Sequence, residues 1–481
     1  MTEQRMGSSR IRNAQMAVRF LVFCWAAAAS PQTGRTGSAT GAEAPLTVAE
    51  VVQTAVRDYP EIHVTQEEFN ASVANIQLAR TAYLPRVDGL IQANRATRNN
   101  VFGLLLPQNT IPSISGPVIG SNNGGSVWGS ATGLLVNWQP FDFGLRHANV
   151  VAARAARDRA DAAIQRSQLE VAAAAAEAYL TLVAAGQTET AATAAVENWT
   201  VLLRSIHALA AAQLRPGADE SRIEAELALA KTQLVYAREA GDAGRATLGK
   251  YLSRAEDANG ALDTGRLLSE LPPGGDEELP FQSAAHPAMA EQKATVAQSS
   301  AQLHATERSW VPQFNVEGAA YARGTGAGVN GERLPGANGL APTVQDYAAG
   351  VNVTFPLMDF ASIHAREAAQ SATLRANQAN EQLADRTLQE QFARAKATLR
   401  AAREVAANTP IEVRSAHTAF DQAKARYQAG LVPIDDLAQA QRLVVEAEID
   451  DSIARLNVWR ALLELSAARG DIQPFLQAIS K

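Results

Sequence analysis

The residues capable of chemistry are few, and their spacing assembles no catalytic constellation. Gly326-Ala327-Gly328-Val329-Asn330-Gly331 has the spacing of a dinucleotide loop. Pro335, Gly336 and Pro342 follow it, so no helix opens there to hold a pyrophosphate. No Gly-x-Ser-x-Gly elbow occurs, the single cysteine is Cys24, and no metal site emerges from the seven histidines (63, 147, 207, 286, 304, 364, 417). The residues therefore predict no enzyme, no cofactor and no metal centre. One acidic pair stands out. Asp435 and Asp436 follow a tight turn over 428–435 and open a helix. There the macrodipole favours carboxylates in any case. If symmetry brought several copies round one axis, the same carboxylates would form a cation-selecting ring.

Such a ring needs long, rigid elements to hold it, and the sequence supplies them twice. Tyr59-Pro60-Glu61 opens a helical stretch that ends at Tyr83-Leu84-Pro85-Arg86-Val87, and His286-Pro287-Ala288 opens another that ends at Trp310-Val311-Pro312-Gln313-Phe314. Both pairs of landmarks are 227 residues apart (287 against 60, 312 against 85). Trp138-Gln139-Pro140-Phe141-Asp142-Phe143-Gly144 likewise matches Phe355-Pro356-Leu357-Met358-Asp359-Phe360-Ala361 at an offset of 217 (359 against 142). An internal duplication accounts for this. Periodicity predicts helices over roughly 46–82, 145–213 and 219–252, and again over 286–309, 362–428 and 434–469. The longest would be on the order of 100 Å at 1.5 Å per residue. Their alanine runs (172–176, 210–212) and the low aromatic content of 6% suit helices packed closely side by side. Pro410 is expected to kink one long helix and Gly186 to weaken the other.

Between the helices lie four segments with strand character. Phe314, Val316, Gly318, Ala320 and Ala322 alternate with Gln313, Asn315, Glu317, Tyr321 and Arg323. Similar alternation runs through 86–94 and 347–357, whereas 127–138 alternates poorly. Strands of about ten residues with a period of two fit a tilted membrane barrel, and equally a soluble antiparallel sheet with one wet face. Four strands cannot close a barrel, and open edges are not viable in lipid. The sequence therefore asks for an oligomer, and three copies would leave an open lumen where two would not.

The leader points to export. Arg5, Arg10, Arg12 and Arg19 precede an apolar run at 20–29 that ends in small residues, the order of a secretory signal, with Met16 as an alternative start. Phe23 before Cys24 argues against lipidation, and cleavage would leave a chain without cysteine. No later segment holds 18 apolar residues in a row, so no membrane-spanning helix is expected. The net charge of −6 argues against nucleic acid.

Together these landmarks resemble the TolC-like outer-membrane efflux proteins. The resemblance rests on Ala82-Tyr83-Leu84-Pro85, Trp138-x-x-Phe141-Asp142-x-Gly144, Tyr427-x-x-Gly430-Leu431 and Arg215-Pro216-Gly217-Ala218-Asp219, and covers about residues 46–470. It implies a mainly α fold with a small β part, in which a homotrimer joins a 12-stranded transmembrane β-barrel, four strands per chain, to a long-helix α-barrel in the periplasm. The implied division is a signal peptide and leader (1–44), a first repeat (45–252), an equatorial linker (253–285), a second repeat (286–470) and a C-terminal tail (471–481). Loops at about 96–126 and 324–345 would face outside. The implied function is a passive outer-membrane exit duct, receiving small molecules from an inner-membrane pump (RND or ABC type) through a periplasmic adaptor. By the same resemblance Asp435, Asp436 and Gln439 belong to the periplasmic gate, with Asp436 at the constriction position and Gln439 where the family has another aspartate. Arg215, Pro216, Gly217, Ala218, Tyr427, Gly430 and Leu431 belong to the adaptor-docking turns, with Gly217 and Gly430 supplying left-handed backbone. Two alternatives stay open at this point: a type I protein secretion duct, and a periplasmic coiled-coil scaffold without a pore.

Overall fold

The computed structural model describes residues 45–97, 126–212, 216–274, 280–328, 332–355 and 358–480. The expected leader, and most of the first external loop, lie outside these residues. The first helical stretch is two helices, α1 (Val48–Asp58) and α2 (Pro60–Thr81). Tyr59 between them is extended (φ −69°, ψ 130°), because the residue before a proline is pushed out of the α region. Thr47 caps α1 in a reciprocal capping box with Glu50. The first long helix, α3, is Leu145–Ala211, followed by α4 (Gly217–Gly249). After a short α5 (Gly265–Ser269), the second set is α6 (Pro287–Glu307), α7 (Phe360–Gln428), α8 (Ile434–Arg469) and α9 (Gln473–Ser480). With 67 and 69 residues, α3 and α7 are each about 100 Å long. Helix α7 stays continuous through Pro410, so the proline does not end it.

Both long helices lie along shorter ones. Helix α3 packs on α2, α4, α6 and α8, and α7 packs on α6 and α8. Alanine makes this close packing possible. Ala172, Ala175 and Ala176 are buried beside Tyr179, Val183, Trp459 and Leu462 in the main core. The alanines also give α3 an 18-residue window with mean hydropathy 1.4, enough by composition to cross a membrane. A criterion of unbroken apolar runs misses it, and 56% of that window is buried within the chain. Ala258 and Leu267, with Phe475 and Ala478 of α9, belong to the same core. Trp459 donates its indole N–H to the Glu270 carbonyl (3.1 Å), and the Tyr179 hydroxyl lies within hydrogen-bond reach of the Leu46 and Asp263 carbonyls (2.8 and 2.9 Å).

The strands form one antiparallel sheet in the order β1 (Arg86–Thr97), β2 (Ser126–Phe141), β3 (Gln313–Thr325), β4 (Val344–Thr354). Strands β1 and β4 are its two edges. The register puts Val87, Val136, Gly318 and Ala349 in one row, and Gly89, Leu134, Ala320 and Tyr347 in the next row on the same face. That face is apolar and bare: Ile91 and Tyr347 are each 88% exposed and Val351 73%. The opposite face carries Arg86, Asn137 and Glu317 in one row, and Arg323 pairs with Asp346 (2.8 Å). The poor alternation of β2 has a physical cause. The β3–β4 connection closes on the end of β2 far from the helices, where Val127, Gly129, Ser130 and Ala131 are all buried although successive residues point to opposite faces. Gly339, in left-handed backbone (φ 99°), makes that approach possible; a Cβ would lie 2.2 Å from the Trp128 oxygen.

Candidate functional site: the helix-turn tip

The joint between sheet and helices shows why two of the sequence motifs exist. After β2, Phe143 and Gly144 both take positive φ (50° and 92°), reversing the chain into α3. The Asp142 carboxylate accepts from the Gly144 and Arg146 backbone N–H groups (3.2 and 2.6 Å) and pairs with the Arg146 guanidinium (2.9 Å). Arg146 also donates to the Ala82 carbonyl (3.1 Å) and lies over the Tyr83 ring, while Trp138 donates to the Tyr83 carbonyl (3.1 Å). Arg146 belongs to no sequence motif, although its spacing of four from Asp142 is visible in the sequence. In the second half α7 starts at Phe360 and includes Ala361, so no left-handed residue is needed where glycine is missing.

At the far end of the long helices are the two turns. Arg215 lies outside the described residues. Pro216 is extended (φ −64°, ψ 144°) and caps α4, with Gly217 and Ala218 in its first turn. Gly217 thus does not end α3 in left-handed backbone, as expected from its type; it starts α4, and a Cβ there would meet nothing within 4 Å. Gly430 does take the left-handed form (φ 76°). Its N–H bonds the Tyr427 carbonyl (2.9 Å) and the Leu431 N–H bonds the Arg426 carbonyl (2.9 Å), the paired 5→2 and 6→1 bonds of a Schellman cap. Leu431 beyond it is 73% exposed.

A small core closes the tip, built from Trp199, Ile206, Ile223, Tyr427, Ile434 and Leu437. Within it the Tyr427 hydroxyl donates to Asp219 Oδ2 (2.9 Å), joining the end of α7 to the start of α4. A charge chain runs alongside. Arg222 pairs with Asp435 (3.1 Å) and with the buried Glu226 (3.3 Å), which also faces Arg442 (3.9 Å). The acidic pair is therefore divided. Asp435 is neutralised by Arg222, whereas Asp436 and Gln439 are exposed and carry no ion pair or side-chain hydrogen bond among the described residues. The partnerships of Asp219 with Tyr427 and of Arg222 with Asp435 escape a sequence reading, since only the fold brings residues so far apart in the chain into contact, whereas the Arg222–Glu226 spacing of four is visible in the sequence.

The model of the family described as "Outer membrane efflux protein" matches residues 51–254 and 283–471, most of the chain and both repeats. The chain belongs to the outer membrane efflux protein family. It is accordingly an outer-membrane channel protein acting in efflux, with a helical part and a four-stranded sheet. Solved structures with the same fold include the Campylobacter jejuni CmeC outer membrane channel (15% identity, TM-score 0.69, 88% of this chain and 85% of that one). The outer membrane protein VceC of Vibrio cholerae matches similarly (15%, 0.69, 88% and 96%). So does the open state of the Neisseria gonorrhoeae MtrE outer membrane channel (16%, 0.65, 88% and 89%). Among curated proteins there is no significant sequence match.

Proposed function

We propose that three copies of this efflux channel protein close a twelve-stranded barrel in the outer membrane and continue it as a helical duct through the periplasm. One observation carries this reading: the sheet has an apolar face, a polar face and two unpaired edges, and it is joined to helices about 100 Å long. An unpaired strand edge in hydrocarbon costs several kcal/mol per unsatisfied group, and pairing β4 of one copy with β1 of the next removes both edges. Three copies of four strands give a barrel wide enough for a lumen.

The tip is the gate and the docking end. Threefold symmetry would set three unpaired Asp436 carboxylates round the axis with Gln439 one turn deeper, and Asp435 held aside by Arg222. The turn residues Arg215, Pro216, Gly217 and Ala218, with Tyr427, Gly430 and Leu431, would meet a periplasmic adaptor, which links the duct to an inner-membrane pump of RND or ABC type. The family's efflux role favours small-molecule cargo over protein secretion, and its outer-membrane location leaves no place for a poreless scaffold. Single-particle imaging of protein extracted from outer membranes tests the assembly. A threefold hollow tube is expected; a monomer or a poreless rod would overturn it.

A further inference from the structure

The two repeats stack a shorter helix pair end to end at equivalent places, but they fasten the joints with different chemistry. Tyr59 and His286 occupy matching positions before Pro60 and Pro287 and share one backbone conformation (φ −69°, ψ 130° against φ −72°, ψ 134°). In the first repeat, Tyr59 provides no side-chain cap for α2; its ring packs on Tyr251 at the end of α4 (5.2 Å between centroids), with the Lys250 ammonium over both rings. In the second repeat, His286 Nδ1 accepts from the Ala288 N–H (3.1 Å), capping α6, and its Nε2 reaches the Ala467 carbonyl near the end of α8 (3.3 Å). Gly470, left-handed at φ 90°, seats that helix end against it; a Cβ would lie 2.8 Å from Pro287 Cδ and 3.0 Å from His286 Cδ2.

Only one protonation state fits both bonds. A backbone N–H can only donate, so Nδ1 must be bare and Nε2 must carry the hydrogen. Charging the ring puts a second hydrogen on Nδ1, facing the Ala288 N–H, and sets a positive charge at a helix N-terminus, where the macrodipole opposes it. We propose that His286 is a proton-operated latch on the start of α6: charging the imidazole breaks its cap on the Ala288 N–H and loosens the first turn of α6, while the Nε2–H bond to the Ala467 carbonyl persists and the Tyr59–Tyr251 joint is unaffected.

The surrounding charges have opposing effects. From α3, Glu170 favours the charged ring but is itself paired with Arg166, which also holds Glu291 of α6. From α7 and α8, Arg394 and Glu464 line the same cavity as His286, with Arg469 and Asp471 flanking Gly470. Burial is the largest influence and holds the imidazole below the usual histidine range, against the Ala467 carbonyl and Glu170. The Tyr59 joint, made by Tyr59, Tyr251 and Lys250, contains no histidine. The latch lies within one chain, so it does not depend on the number of copies or on the gate.

Hydrogen exchange followed by mass spectrometry on the full-length protein in detergent, at pH 7.5 and 5.5 and corrected for intrinsic rates, tests it. Peptides covering 286–292 should lose protection in acid, while peptides at 463–472, 57–62 and 248–254 hold theirs. His286→Asn, whose amide oxygen caps at any pH, should remove the acid-dependent loss. Equal wild-type protection at both pH values, or the same acid loss in His286→Asn, would overturn the latch. Glu170→Gln should move the transition to lower pH; an unmoved transition would assign it to another group.

Discussion

The Tyr427 hydroxyl donates to the Asp219 carboxylate across 2.9 Å, and this bond ties the two helix pairs together at the tip, one turn from each connecting loop. Tyr427 is 3% exposed, so the bond is shielded from water at its donor end. Removing only the hydroxyl, in Tyr427→Phe, keeps the ring in the tip core and leaves the carboxylate without this donor. A hydrogen bond to a charged group contributes about 1.5–3 kcal/mol. The predicted outcome is a looser tip, read as a larger single-channel conductance in planar bilayers with trimers intact. Conductance equal to wild type would show that the bond does not restrain the duct.

The division of the acidic pair gives a sharper test of the gate. Asp436→Ala should change conductance and weaken cation preference, because in the proposed trimer it would remove three unpaired carboxylates from one level of the duct. Asp435→Ala should act differently, by releasing Arg222 from its partner at 3.1 Å. An Asp436→Ala channel indistinguishable from wild type would remove this residue from the gate.

Gly430 combines a conformational need with an exposed position. Left-handed backbone costs a residue with a Cβ roughly 1–2 kcal/mol, a modest loss for so large a helical framework. Gly430→Glu is therefore expected to assemble and to lose efflux, because the bulky charge sits on the proposed docking turn. Drug susceptibility of cells carrying the variant, alongside a trimer assay, measures both halves. Full resistance would place docking elsewhere.

Arg146 is expected to matter more for stability than for transport. Its side chain and that of Asp142 are 7% and 9% exposed. Replacing one partner of a buried pair leaves the other uncompensated and typically costs about 3–5 kcal/mol. Arg146→Met should lower the melting temperature and the yield of assembled protein; an unchanged melting curve would mean that water replaces the guanidinium at little cost.

Two histidines give opposite pH dependences. His207 is exposed, and its hydrogen bond to Glu220, joined by the carboxylate's charge, raises its pKa. The stability from that pair is fully present below the unfolded value near 6.5 and is lost as pH rises through the folded value. His286 has a lowered pKa, chiefly from burial; its joint is stable above about 6.5 and weakens as pH falls from there through the folded value. Melting temperature against pH for His207→Gln and His286→Asn should therefore flatten opposite sides of the profile. The same side flattening in both would contradict these assignments.

The sequence by itself determined the elements and their duplication. Proline at 60 and 287, glycine at 430 and the alternation at 313–323 act through local sterics and periodicity, which neighbouring residues impose without any tertiary contact. It also carried the family motifs, and with them the family. Local patterns mislead where two effects compete at one residue: Gly217 is of a type that ends helices but begins α4, and β2 alternates poorly because a distant segment covers one end of it. Only the tertiary structure decided which side chains meet. Tyr427 with Asp219, Arg222 with Asp435, and His286 with Ala467 are joined across long stretches of chain, and no spacing rule reaches that far. Hydrogen bonds and ion pairs depend on distances of a few ångström, which are set by how the long helices stack rather than by what any one of them is made of.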